Sequence, residues 1–383
     1  MKYIFLSLLF ILFRDVYAKD KEDIHSIKSC KSQIHSFCSD SGESKDFRQI
    51  VNCLKVNIDK LSQSCKQEVM RFSQARRQTR PRQGGAASSI GGIAGPSIQL
   101  PLLSYEGRFI QEGDDTSKTP RSLESNMSIS LPVYKKDKNS LAFSLKGGNL
   151  NLESPVSLGS GTVIDRDWYR SEVGIHYSRR LDGKKMFGLS SSFGYEGDNF
   201  SPETQNISLR ANYSFPTEGG NRWVLMLLMS NNGQLGNFIP IPGFFYITRT
   251  STFTGIFGFP VLSLQWTPVN PWAFSFSLFG ANLRAESSYG VVNRRQFFIA
   301  SGMKQQRYMY SERTNEDDRL TFEEKFFELG IRQPILKGSL IEFQTGSSFD
   351  RSLYLGDGLF NKDRGEGTFD SSLYARFFFK VIF

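Results

Sequence analysis

Few residues of this chain have the types and spacing that chemistry requires. His176 and Ser178 stand two apart in WYRSEVGIHYSRR, where an imidazole could activate a hydroxyl nucleophile. Residues two apart on an extended segment share a face. Trp168, Arg170, Glu172, Gly174, His176 and Ser178 therefore form one row, and Val173, Ile175 and Tyr177 the opposite one. The acidic pairs Glu323-Glu324, Asp317-Asp318 and Asp114-Asp115 could do acid–base work or bind calcium. Neighbours on a strand point to opposite faces, so Glu323 and Glu324 cannot share one site, and the loop pairs read as solvated. GGNRW and GGAASSIGG lack the strand-then-helix setting of a phosphate cradle. No catalytic set, cofactor site or metal site is expected.

The elements that position these residues read with period two from Ser97 onward. In TQNISLRANYSF, Ile207, Leu209, Ala211, Tyr213 and Phe215 alternate with Asn206, Ser208, Arg210, Asn212 and Ser214. MFGLSSSFGYE and SLIEFQTGSSFD alternate in the same way. Such strands suit a soluble sandwich or a membrane barrel, and three features favour the barrel. The segments run to about 10 or more residues, the length a tilted strand needs to cross a bilayer. Their polar faces carry Gly, Ser and charge, as a wet lumen does. Short turns such as KKDKN, LDGK and TPVNP alternate with longer segments at 151–166, 233–250 and 351–368, as in outer-membrane barrels. Trp223, Trp266, Trp272 and Trp168 lie near strand ends, where aromatic girdles are expected.

The expected fold is thus an all-β transmembrane antiparallel barrel of about 12–14 strands over 97–383, preceded by a small disulfide-bonded α-helical hairpin. Strands are expected near 98–110, 122–134, 139–150, 167–180, 184–197, 204–215, 221–232, 251–266, 271–281, 283–292, 294–311, 318–332, 337–350 and 370–383. Arg170, Glu172, His176, Arg210, Glu324, Glu328, Arg332 and Glu342 are the lumen-lining candidates, as a charge ladder that either tunes a pore or fills it. In NFIPIPGFFYITR, Pro240, Pro242 and Gly243 do not suit the middle of a sheet ladder. An inward loop, acting as gate or plug, is expected there.

Ahead of the barrel, MKYIFLSLLFILFRDVYAKD has one Lys, an apolar run from Tyr3 to Phe13 and small residues before Lys19. It reads as a signal peptide over 1–18, cleaved after Ala18. Cys30, Cys38, Cys53 and Cys65 are the four cysteines. An even count in an exported chain implies two disulfides, and C-x7-C with C-x11-C are not zinc spacings. Apolar residues one turn apart over 19–75 predict two short helices. Their antiparallel packing favours the nested pairs 30–65 and 38–53 over the other two connectivities. Residues 76–96, with Arg76, Arg77, Arg80 and Arg82 followed by a Gly/Ala/Ser run, read as a flexible linker. The net charge of +9 is scattered through the chain, and no nucleic-acid partner is expected.

Several stretches resemble known families. CKSQIHSFC followed by VNCLKVNIDKLSQSC resembles the Golgi-apparatus-protein-type cysteine-rich repeat, over about 45 residues. The tail SSLYARFFFKVIF, with Phe377, Phe379, Val381 and Phe383 on one face, resembles the sorting signal read by the outer-membrane barrel-assembly machinery. NFIPIPGFFYITR with GFPVLSLQWTP resembles an uncharacterised bacterial outer-membrane barrel family. The His-x-Ser pair is comparable to that of the outer-membrane phospholipase, whose serine and histidine lie two apart on a strand. Here the Asn-Gly that follows that family's serine is replaced by Arg179-Arg180, and the row belongs on the lumen face, where a lipase could not meet lipid. The long polar lumen face with no catalytic set points to a non-enzymatic channel or passive transporter for small solutes in a Gram-negative outer membrane, with its N-terminal region in the periplasm. Outer-membrane lipid and the assembly machinery are the expected partners. The alternative is an anchoring protein whose cysteine-rich hairpin binds a periplasmic or cell-wall partner.

Overall fold

A computed structural model describes Cys30, Gln33, Ser36, most of 53–70, and 102–382 apart from 113–120, 234–235, 292–293, 314, 337 and 358–364. The signal peptide, the linker, the Cys38–Cys53 pairing and Phe383 lie outside the described residues. The chain divides into two compact units, 1–82 and 83–383.

In the first unit, Cys30 and Cys65 are disulfide-bonded, which places one half of the nested pairing. Cys53 is disulfide-bonded as well. Leu54, Leu61 and Val69 pack with the two buried sulfurs into a small core, around residues that are helical at 53–54 and 63–67. These are the buried apolar side chains among the described residues, and in a domain of this size a cross-link adds stability to a small core.

The second unit is a closed antiparallel barrel. Its strands begin with β1 (Leu102–Ile110), β2 (Ser122–Lys136) and β3 (Asn139–Leu152). A two-residue hairpin, β4 (Val156–Ser157) with β5 (Val163–Ile164), stands in the following loop. The wall continues through β6 (Asp167–Arg180), β7 (Met186–Gly197), β8 (Gln205–Pro216) and β9 (Arg222–Ser230). Next come β10 (Ile241–Arg249), β11 (Phe253–Phe259), β12 (Val261–Trp266), β13 (Trp272–Phe279) and β14 (Asn282–Tyr289). The last are β15 (Gln296–Tyr308), β16 (Arg319–Pro334), β17 (Ser339–Gly356), the short β18 (Glu366–Phe369) and β19 (Ser372–Ile382). Each wall strand pairs with its neighbours in the chain, and β1 closes the ring on β19 from Leu102↔Ile382 to Ile110↔Tyr374. Setting aside β4, β5 and β18, sixteen strands make the wall.

Sixteen exceeds the 12–14 read from the sequence, and prolines account for both missing strands. The stretch 251–266 is two strands, β11 and β12, which turn at Pro260. The supposed gate is also wall: Pro242 pairs with Leu227 and Gly243 with Met226 in β10, and Pro240 lies just before that strand. β10 meets β11 only from Phe244 onward. Pro242 therefore stands where the strand has a ladder on one side alone, a position that tolerates a missing N–H.

Parity along the strands was read correctly. Leu189, Phe193, Ile207, Leu209 and Phe343 are exposed on the outer face, as lipid-facing residues are, while Ser192, Asn212, Ser214 and Glu342 are buried inside. Phe377 faces outward between Tyr105 and Phe343, with ring centroids 6.4 and 5.2 Å away. Trp223, Trp266 and Trp272 are outward too, paired with Tyr246, Phe274 and Tyr289 into a girdle at the short-turn end. Trp168 is not a girdle residue. It is 0% exposed and lies inside the barrel mouth.

Candidate functional site

The site is the barrel interior, and it has two layers. The first is a lattice of charges built by alternate residues of β1, β2, β14–β17 and β19. Arg332 donates to Glu342 at 2.6 Å and to Glu286 at 3.1 Å. Arg284 bonds Glu286 at 3.0 Å and lies 2.5 Å from Glu328. Glu328 accepts from the Tyr374 hydroxyl at 2.5 Å. Arg376 donates to Glu106 at 2.8 Å. Arg108 grips Glu324 with both terminal nitrogens while lying 4.1 Å from the centre of the Tyr374 ring. Lys304 reaches both oxygens of Glu124 at 2.8 and 3.0 Å. Each carboxylate has a cationic partner, the condition under which charges of this kind can be buried. The predicted Glu324, Glu328, Arg332 and Glu342 are brought together in this lattice.

The predicted residues on the other side form a separate group. Arg170 is paired with Glu196, and Glu172 accepts from Lys146 at 2.6 Å across β3 and β6. His176 does not bond Ser178. Its Nε2 lies 2.8 Å from the Ser144 hydroxyl, while Ser178 bonds Ser140 at 2.6 Å. The His176 Nδ1 is buried without a partner. Arg210 stands near this group on β8, half-buried.

The second layer closes the long-loop end. β15 runs past the rim and leans across the mouth, where Met309 N–H donates to the Glu196 carbonyl of β7 at 2.9 Å. The Asp198 carboxylate accepts from the Ser311 hydroxyl at 2.5 Å. Arg319 donates to the Asn232 side chain at 3.1 Å and to the Asn231 carbonyl, and Arg307 to the Gly233 carbonyl at 2.8 Å. Under this bridge Trp168 meets Tyr308, Tyr310 and Phe322 at 5.5, 6.2 and 6.4 Å between centroids. Leu150, Ile164, Leu320 and Leu353 complete the apolar cap. Burial, with the Glu312 carboxylate beside it, pushes the Tyr310 phenol up to about 12, so it stays a donor at neutral pH. Between cap and lattice lies a cavity of about 40 Å³, lined by Arg108, Glu124, Lys304, Glu324, Arg351 and Phe369 among others.

Sequence reasoning placed the plug in 233–250, whereas the mouth is closed by the 305–321 hairpin and by Trp168. One signal was available. Residues 308–310 read Tyr-Met-Tyr, at the end of a segment too long for a single crossing. Glu106, Arg108, Glu124, Glu286, Lys304 and Arg376 were also missed as members of the charge lattice, although each has lumen parity on its strand.

No family model matches the chain, so the resemblance to the cysteine-rich repeat has no counterpart there. No curated protein matches it either. Among solved structures, the COG4313 outer membrane channel from Pseudomonas putida F1 is similar at 10% identity and a TM-score of 0.32, over 74% of this chain and 96% of that one. A deltaS2 mutant of the TodX monoaromatic hydrocarbon channel is similar at 11% identity and a TM-score of 0.33, over 76% and 93%. Outer-membrane expressed OmpT of Vibrio cholerae gives 10% and 0.30, over 74% and 96%.

Proposed function

We propose that this chain is a non-enzymatic outer-membrane channel for small solutes, here with its long-loop mouth closed. The observation that carries the reading is a sixteen-strand wall with a polar inner face. About eight strands suffice for a barrel filled by its own side chains, whereas about sixteen enclose a bore. An anchor needs no such circumference. The closure is made of hydrogen bonds and side-chain packing, which can separate, and so it acts as a gate. In this reading the short-turn end and the cysteine-rich unit face the periplasm and the capped mouth faces outward.

The non-enzymatic part of the reading rests on His176. Its serine partner is Ser144, its Nδ1 has no acid to orient the ring, and the pair faces the lumen. A catalytic dyad of this kind would need an orienting group and an oxyanion site. Purified protein in planar bilayers should give conductance steps that survive His176→Ala. A barrel that is folded by heat-modified gel mobility yet silent under all voltages would count against a channel.

A further inference from the structure

The wall is not of even height. β2, β3 and β6 have 15, 14 and 14 residues, and β15–β17 have 13, 16 and 18. Between them, β11 has 7 residues and β12 has 6, and β13 and β14 have 8 each. At about 3.3 Å per residue and a tilt of about 40°, six residues rise about 15 Å, against an apolar band of about 25 Å for a barrel of this class. The girdle formed by Trp223, Trp266 and Trp272 fixes the lower end of these strands at the short-turn interface. The shortfall, about 10 Å at β12 and about 5 Å at β13 and β14, therefore lies at the long-loop end.

The composition of the low segment agrees. From Thr250 to Leu283 there is no Asp, Glu, Lys or Arg. The two hairpin tips, Phe259-Pro260 and Gly280-Ala281, lack charge, whereas the other connections at that end carry Asp, Glu, Lys or Arg, the 231–240 segment apart. An ionised side chain at membrane depth is costly, and these tips carry none. β10 also rises above β11 here as a one-sided edge, where Pro242 removes a donor that nothing would satisfy.

The inner face behind the low wall is apolar as well. Val224, Met226, Phe245, Ile247, Ile256 and Val261 point inward and pack together, away from the charge lattice of β1, β2, β14–β17 and β19 and apart from the apolar cap around Trp168. A notch over a polar lumen would be closed by thinning of the bilayer, at a cost that grows with the mismatch. A notch over an apolar lining can admit hydrocarbon without that cost.

We propose that β11–β14 form a lateral port. Their tips lie within the hydrocarbon of the leaflet at the long-loop end, and the inward patch behind them, packed shut here, parts to take acyl chains of membrane lipid. The port depends on wall height and lining, and it stands whether or not the capped mouth conducts.

The test uses the full chain in phosphatidylcholine–phosphatidylglycerol vesicles, with single cysteines carrying an environment-sensitive fluorophore. Phe259→Cys reports the tip, Met226→Cys and Ser263→Cys report the lining, and Ser128→Cys reports the lumen face of the tall wall. Lipids with a nitroxide on the acyl chain should quench the tip and both lining positions, and leave Ser128→Cys unquenched. Iodide in the aqueous phase should show the reverse order. Lining positions that quench no more than Ser128→Cys would overturn the port. So would a tip quenched only by a headgroup nitroxide, since that is bilayer thinning. Two lining variants are used so that a folding failure in one leaves the other to decide.

Discussion

Glu124 on β2 and Lys304 on β15 stand five strands apart around the wall, yet their side chains meet inside it at 2.8 Å. The contact is a chord across the lumen, and Gln306 adds a second donor to the same carboxylate at 2.6 Å. Removing one member of a buried pair leaves the other charge uncompensated, at about 3–5 kcal/mol. Glu124→Gln should lower the temperature at which the barrel loses its folded gel mobility and should raise the frequency of open events. Glu124→Gln with Lys304→Met should recover most of the stability, because neither member of the pair is left as an uncompensated charge, and should keep the open events. A single variant with unchanged gating would remove the chord from the gate.

Trp168 joins opposite walls through the apolar cap. Deleting a buried indole costs about 3–5 kcal/mol, and here that cost falls on the closed mouth more than on the wall. Trp168→Ala should therefore increase the open fraction in planar bilayers while barrel heat-modifiability stays nearly unchanged. Trp266→Ala, which removes an outward girdle residue that is 50% exposed, should leave conductance alone. Equal effects from the two would show that both act through general stability.

These two tryptophans also mark how far the sequence could be read. Period-two alternation places side chains on faces, so the lumen candidates Arg170, Glu172, His176, Glu324, Glu328, Arg332 and Glu342 could be identified without coordinates. Proximity to a strand end suggests the girdle but misplaces Trp168, because end position does not say whether a residue faces lipid or lumen. Trp168 shares the parity of Arg170 and Glu172, and that signal was present in the row. β10 and the β11–β12 division were hidden for another reason. Pro240, Pro242 and Pro260 argue against a continuous ladder, and only the pairing partners show that Pro242 lies at a one-sided edge. Contacts such as Glu124–Lys304 follow from ring closure, which no local pattern encodes.

The bridge of β15 to β7 can be tested as a moving part. The Asp198 carboxylate accepts from the Ser311 hydroxyl at 2.5 Å and from its backbone N–H at 3.1 Å. Asp198→Cys with Ser311→Cys places two thiols at this contact. After oxidation, openings in planar bilayers should disappear, and a reductant should bring them back, with the native chain under reductant as the control for its own disulfides. Openings that persist in the cross-linked protein would mean that the gate lies elsewhere.

The Cys30–Cys65 bond closes a sequence separation of 35 residues and, among the described residues, packs with Leu54, Leu61 and Val69. A native disulfide in a domain this small is worth about 2–5 kcal/mol. Cys30→Ser with Cys65→Ser should make residues 19–75 sensitive to limited proteolysis at protease levels that leave the native chain intact. The barrel should keep its folded gel mobility, since the two regions are separate compact units. Loss of barrel folding in the same variant would make the cysteine-rich unit part of barrel assembly.

The closing strand offers the sharpest test of the lipid face. Phe377 lies opposite Gly107 on β1 and Phe343 on β17, midway along β19, with its ring between Tyr105 and Phe343. A charged residue at mid-bilayer on a barrel's outer face costs about 2–4 kcal/mol. Phe377→Arg should therefore reduce stability by that order in urea unfolding from vesicles. Phe378→Arg, one residue on and with inward parity beside Glu342, should cost less, because the new guanidinium has a carboxylate partner and no lipid to displace. The difference between adjacent positions, rather than either value, carries the test. Equal losses would mean that β19 does not hold the register by which it closes the ring.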